Sequence, residues 1–323
     1  MVGSTLMTAL TPPRPAALRH LHATDAAGAR FVVANGVLTV AGIALSLNGT
    51  LAVWAIGQIL LALAMVEWFV LLHECGHHTL FRRRAWNTAA GHVAGFFAFI
   101  PFGVWTHVHR LHHKWTGWQD LDPTTATLAP RERGRFERGV VRLCWKYWVP
   151  LFATVYRAGF WNPARLLRYA ADSGRALQLV YGILSVLAMY GALIVWFGPA
   201  MIFRSVGLAI VIAFTLEDLL ILSQHTHVPM EVSGGGRVAP HSAMDQERFT
   251  RSLRLPGVVS RAVLHFDAHE LHHMYPFVPG YRLRDIAYEP QNEIGWRQWV
   301  VAARRIPGDV LLFQNRQQTG FDL

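Results

Sequence analysis

Residues 51–78 read LAVWAIGQILLALAMVEWFVLLHECGHH. From Leu51 to Leu72 the run carries one ionisable side chain, Glu67, and it then ends in His73, Glu74, Cys75, Gly76, His77 and His78. About 20 consecutive apolar residues suffice for an α-helix to cross a bilayer. The segment therefore predicts a spanning helix with imidazoles gathered where it leaves the membrane.

The flanking sequence repeats the pattern. Phe31 to Leu47 is apolar and uncharged, and Asn48-Gly49-Thr50 punctuates before Leu51, so the two runs form a helical hairpin. A second pair, Leu177–Phe197 and Ala200–Leu222, is joined by Gly198-Pro199. The expected fold is an all-α integral membrane protein, with four transmembrane helices in two hairpins and a cytoplasmic helical cap. Two shorter apolar stretches, His92–Trp105 and Leu143–Phe160, are interrupted by Pro101, Lys146, Pro150 and Arg157 and read as interfacial or re-entrant. The C-terminal stretch from Asn292 to about Arg305 reads as a soluble capping helix, and Gly234-Gly235-Gly236 as a loop. The expected organisation is an N-terminal cytoplasmic arm over 1–30, a membrane domain with its cap over 31–285, and a C-terminal cytoplasmic helix and tail over 286–323.

Composition agrees. The 323-residue chain is 52% hydrophobic and only 15% charged, against about 25% charged for soluble domains. Disorder and an ordinary soluble domain are both excluded. Lys+Arg number 30 against 20 Asp+Glu, and a polyanion partner would need that excess on one soluble face. Instead 15 basic residues fall in residues 82–176 and 11 in 223–323, with none in either hairpin turn. That distribution argues against nucleic acid. Under the positive-inside rule it places both termini and the central loop in the cytoplasm, where they also meet anionic membrane lipids. An integral multi-pass protein of a bacterial inner membrane is expected, without a cleavable signal peptide. Two cysteines are too few for a disulfide framework or a thiolate metal cage.

Seventeen histidines are the chemical signal. Three clusters fall on the predicted cytoplasmic side: His73, His77 and His78; His109, His112 and His113; His269, His272 and His273. Residues three and four apart share a helical face, so the second and third clusters should each aim three imidazoles at one point. In the first, His78 lies about 140° round the helix from His73. Histidine is the commonest metal-coordinating side chain and suits Zn, Cu, Fe and Ni. Four ligands fill a tetrahedral zinc site, so a third cluster implies a second ion. His225 and His227, directly after the fourth apolar run, are further ligand candidates. Glu74, Asp120, Asp122, Asp267 and Glu270 are placed to orient the imidazoles by hydrogen bonds. Glu217 and Asp218 are ionisable groups within an apolar run, and Glu217 is spaced to lie below His225 or to pair with another helix. Trp68, Phe69 and Trp105 are candidates for lining an apolar substrate channel or for ordinary packing.

The three clusters resemble the histidine boxes HxxxH, HxxHH and HxxHH of the integral-membrane fatty acid desaturases. Thr116-Gly117, Asp120-Leu121-Asp122-Pro123, Tyr275-Pro276 and Pro279-Gly280-Tyr281 resemble that family's flanking text, and Gln224-His225-Thr226 its additional histidine site. The resemblance covers roughly residues 30–285. It implies two iron ions held by His73, His77, His109, His112, His113, His225, His269, His272 and His273, with His78 an optional tenth ligand. One departure precedes the third box: many relatives carry Asn where this chain has His265, with Asp267 two residues on. His265 or Asp267 would then act on one iron directly or through water. Glu74, Glu217 and Glu270 complete the supporting candidates.

The implied activity is an O2-dependent oxidoreductase that introduces a C=C bond into a fatty acyl lipid. The chain shows no soluble haem-binding motif, so electrons are expected from a separate ferredoxin or cytochrome with its reductase. A hydroxylase, a ketolase or an oxidative decarboxylase giving a terminal alkene would use the same boxes. A non-catalytic metal-handling membrane protein is the alternative from another class. It would string its ligands through the membrane, whereas these histidines gather at one side.

Overall fold

The computed structural model describes residues 11–126, 128, 133–170, 172–321 and 323. The first ten residues of the expected N-terminal arm lie outside that range. Four helices are long and apolar enough to cross a membrane: α1 (Asp25–Ser46), α2 (Leu51–His77), and, later in the chain, Ser173–Phe197 and Pro199–His225. All four expected spans are therefore present, with longer ends. The first begins at Asp25, inside the segment expected to be the arm. Thr24 caps it by accepting from Ala27 N, and Asp25 in its first turn complements the helix dipole. The outer turns of a spanning helix are polar, so apolar runs alone understate its length.

Between the hairpins lie α3 (Arg84–Phe97), α4 (Phe102–Trp115), α5 (Arg135–Lys146), α6 (Leu151–Phe160) and the short α7 (Pro163–Leu166). The stretch expected to be interfacial or re-entrant over 92–105 contains the junction of α3 and α4, which meet at a 99° bend. Pro101, the N-cap of α4, lacks the N–H to continue α3 and presets the new start. The second hairpin is α8 (Ser173–Phe197) and α9 (Pro199–His225). Beyond it come α10 (Gly257–Ala262), α11 (His269–Met274) and α12 (Trp296–Arg305), the last matching the expected capping helix. The chain is mostly helical, in line with the all-α expectation, and carries one minimal strand pair besides. Leu253–Arg254 (β1) pairs in parallel with Ile294–Gly295 (β2). Two residues per strand give no alternation for a sequence reading to detect.

α2 is the hub. Two thirds of its apolar window, 67%, is buried, against 17% for α8, and it packs on α1, α3 and α9. Close approach to α1 depends on Gly57, where a Cβ would lie 2.5 Å from Ser46 N. Buried Gln58 links three helices: Nε2 donates to Ser46 Oγ and Ser205 O, and Oε1 accepts from Ala209 N. Small residues and polar bridges of this kind hold membrane helices together where lipid removes the hydrophobic drive.

The carboxyls within α9 hold α6 in place. Glu217 pairs with Arg157, which also donates to Ala98 O at 2.9 Å and stacks on Phe214. Asp218 Oδ1 accepts from Ala153 N at 2.5 Å. Of the two expected roles for Glu217, pairing with another helix is the one observed, and it touches no histidine.

Candidate metal centre

Each histidine is delivered by the end of a helix. His73 and His77 sit one turn apart at the end of α2. His109, His112 and His113 occupy the last two turns of α4, His225 ends α9, and His269, His272 and His273 make up half of α11. These four ends converge, and nine imidazoles resolve into two groups. His73, His77, His109, His113 and His272 form one; His112, His225, His269 and His273 form the other. Within each group the donor atoms lie within 4.8 Å of one another.

The boxes are therefore interleaved, which corrects the expectation that each HxxHH cluster aims at one point. Successive residues are about 100° apart around a helix, so i and i+4 nearly eclipse while the adjacent i+3 turns away. His109 and His113 enter one group and His112 the other. His269 and His273 enter one group and His272 the other. Every box supplies each neighbourhood except the first, whose place in the four-membered group is taken by His225.

The donor chemistry fits metal. His77 Nε2 lies 2.8 Å from His109 Nε2, and His113 Nε2 3.1 Å from both His109 Nε2 and His272 Nε2. In the other group His269 Nε2 is 2.8 Å from His225 Nε2 and 3.1 Å from His273 Nε2. The buried Nε2 of His73 has no hydrogen-bond partner among the described residues. Ring nitrogens packed this closely in a buried site form a donor set suited to holding a cation between them. Burial, then neighbouring histidines, holds His269, His272 and His273 well below the ordinary imidazole range, which keeps them neutral. Neutral imidazole is the form that binds metal.

Outer hydrogen bonds set the ring orientations. His112 Nδ1 meets Asp122 Oδ2 at 2.7 Å, His73 Nδ1 meets Glu74 Oε1 at 3.3 Å, and His273 Nδ1 meets Gln246 Oε1 at 2.8 Å. A proton held on Nδ1 leaves the Nε2 lone pair facing inward. Glu74 is itself fixed by Gly280 N and Thr79 Oγ1. Gln246 escaped the sequence reading, since one amide in a polar loop carries no spacing signal. It also donates to His113 O, so it touches both groups' ligand sets.

Other expected residues stand elsewhere. His78 ends α2 in the left-handed conformation with φ 60°, and its ring belongs to neither group. His227 and His265 also adopt positive φ and are absent from both groups. His265 faces Ser260, and Asp267 pairs with Arg284. Glu270 accepts from Ser252 N and Asn292 N, and Asp120 from Ser233. Asp267 and Glu270 stitch the segments around the third box and Asp120 ties the segment after the second box to the loop after α9; among the described residues none of the three bonds to a ligand histidine.

A cavity of about 30 Å³ reaches both groups, with Phe69, Trp105, Tyr156, Ile221 and Phe266 as its largely apolar wall. Trp105 stacks on His109 at 4.2 Å. Trp68 is not part of the lining; it donates to Thr39 and stacks on Phe97.

Comparison with known proteins agrees with this geometry. The family model for fatty acid desaturases matches residues 14–302. A probable fatty acid desaturase of Sorghum bicolor is 26% identical over 266 residues, covering 78% of this chain and 67% of its own. An sn-1 oleoyl-lipid 12-desaturase of Anabaena variabilis is 25% identical over 249 residues, 71% and 66% of the two chains. An endoplasmic-reticulum acyl-lipid omega-3 desaturase (cytochrome b5) of Arabidopsis thaliana is 22% identical over 245 residues, 70% and 61%. The chain thus spans roughly two thirds of the length of these curated relatives. A match over most of the sequence, on a frame of four membrane-capable helices whose ends gather the histidine boxes, means that the chain belongs to the fatty acid desaturase family.

Proposed function

We propose that the protein is a membrane-bound, O2-dependent di-iron desaturase that introduces a double bond into a fatty acyl lipid. The observation that carries this reading is the partition of nine histidines into groups of five and four beside an apolar cavity. Five imidazole nitrogens exceed a tetrahedral zinc site and suit a metal of higher coordination number. Two groups supply two ions. When bound, iron supplies the O2 chemistry that breaks an unactivated C–H bond.

The chain's own residues do the rest. Asp122, Glu74 and Gln246 hold the ligand rings at fixed angles. Phe69, Trp105 and Phe266 exclude water and offer an alkyl chain an apolar wall. Loss of two hydrogens from the chain yields two electrons, and reduction of O2 to water needs four, so an external donor supplies two. A cytochrome b5 named for one relative supports a cytochrome or ferredoxin with its reductase in that role. Under the positive-inside rule the two basic segments support a cytoplasmic position for the histidine end of the helices and both termini, accessible to such a donor. Gathering of every group member at one end of the spanning helices disfavours ion transport, which needs ligands through the membrane.

Expression in a heterologous host with mass-spectrometric lipid profiling tests the reading. The expected result is acyl chains lighter by H2, absent with His112→Ala. Chains gaining an oxygen, or losing a carbon, would replace desaturation by hydroxylation or decarboxylation on the same centre.

A further inference from the structure

A second cavity, of about 190 Å³, opens on the face of α4 turned away from the histidine groups. It shares no lining residue with the apolar cavity. Three arginines from three helices line it: Arg84 at the start of α3, Arg110 on α4 and Arg175 in the first turn of α8. Thr106 adds a hydroxyl and Phe102 an apolar wall. No carboxylate lines the cavity, and the ion pairs found among the described residues include none of the three arginines. The Arg175 side chain donates to the Gln178 amide at 3.0 Å, while its backbone N–H donates to the N-cap carboxylate of Asp172 at 2.7 Å. Three positive charges lining one cavity with no carboxylate among them favour an anion there.

The position of the cavity selects the anion. Arg175 lies in the first turn of a spanning helix, and lipid-facing surface begins just beyond it, with Leu177 55% and Tyr181 62% exposed. Trp86, two residues into α3 from Arg84, is 52% exposed, as interfacial aromatics are. Cations therefore stand at headgroup depth with apolar surface running away from them along α8. Planar guanidinium matches phosphate with paired hydrogen bonds.

We propose that this cavity binds the phosphate of an anionic membrane glycerophospholipid through Arg84, Arg110 and Arg175, as a site separate from the metal centre. The bound lipid bridges α3, α4 and α8. Because α4 carries His109, His112 and His113, the lipid braces the helix that supplies ligands to both groups.

The test is thermal unfolding of the detergent-purified full chain, titrated with phosphatidylglycerol, phosphatidylcholine or inorganic phosphate. Phosphatidylglycerol should stabilise the wild type and an Arg138→Gln control, whose arginine is exposed on α5. In Arg84→Gln/Arg175→Gln the half-saturating phosphatidylglycerol concentration should rise at least about tenfold, since each interfacial arginine contributes on the order of 1 kcal/mol to anionic-lipid attraction. Metal content of that variant should match the wild type, which separates loss of the lipid from loss of the centre. If the double variant does not fold, Arg110→Gln is read in the same way. An unchanged half-saturation, equal stabilisation by phosphatidylcholine, or full stabilisation by inorganic phosphate alone would overturn the assignment to an anionic lipid.

Discussion

His112 Nδ1 and Asp122 Oδ2 stand 2.7 Å apart, with side chains only 3% and 1% exposed. Asp122 is further fixed by Thr124 N, which donates to its other oxygen at 2.8 Å. This carboxylate sets the one α4 ligand that crosses into the four-histidine group. Asp122→Asn keeps the shape and removes the charge, so metal affinity at that group should fall about 10- to 100-fold. Chelator competition reads the change; unaltered affinity would mean that the contact serves packing alone.

Gly76 allows Trp105 to reach His109. A Cβ at position 76 would lie 2.3 Å from Trp105 Cζ3. In an exposed helix Gly→Ala gains about 1 kcal/mol, but Gly76→Ala should lower thermal stability and metal content together, by pushing the indole off His109. Gly76→Ala/Trp105→Leu, which vacates the space, should recover the stability. A single variant more stable than the wild type would contradict the close packing.

Arg157 and Glu217 form a buried pair between α6 and α9. Removing one partner from a buried pair costs about 3–5 kcal/mol, while replacing both with apolar residues is often neutral. Arg157→Met should therefore unfold at markedly lower temperature, and Arg157→Met/Glu217→Leu should recover most of the loss. If the double variant instead kept full stability but lost activity, the pair would have a role in the reaction as well as in packing.

The contrast between these acids and the histidines explains what the sequence could convey. Four spans were legible because about 20 apolar residues have one common use. The nine ligand candidates were legible because HxxHH spacing fixes the direction of side chains on a helix. Their division into two groups was not, because it depends on how the ends of α2, α4, α9 and α11 face one another. Glu217 and Asp218 advertised themselves as costly charges, yet only the fold reveals Arg157 and Ala153 N as their partners. Gln246, which orients His273, sits in a short turn of one-letter text with no periodicity to mark it.

His227 follows His225 by two residues, is 2% exposed and, among the described residues, has no hydrogen-bond partner for either ring nitrogen. Burial, reinforced by Arg251, pushes it from the usual 6.5 down to about 4. A lowered imidazole contributes stability that is fully present above pH 6.5 and is lost as pH falls towards 4. Replacement by Asn, which tolerates the positive φ, should remove that increment of acid sensitivity. Unfolding temperatures of the wild type should then fall more steeply than those of His227→Asn between these pH values. Parallel curves would show that the ring is not held neutral.

Metal analysis of purified protein, by plasma mass spectrometry alongside Mössbauer spectroscopy, tests the two-group centre most directly. The wild type should hold about two irons per chain, in distinguishable environments because five and four histidines surround them. His77→Ala, in the larger group, and His225→Ala, in the smaller, should each perturb a different one. A single ion per chain, zinc in place of iron, or identical spectra from the two variants would contradict the account.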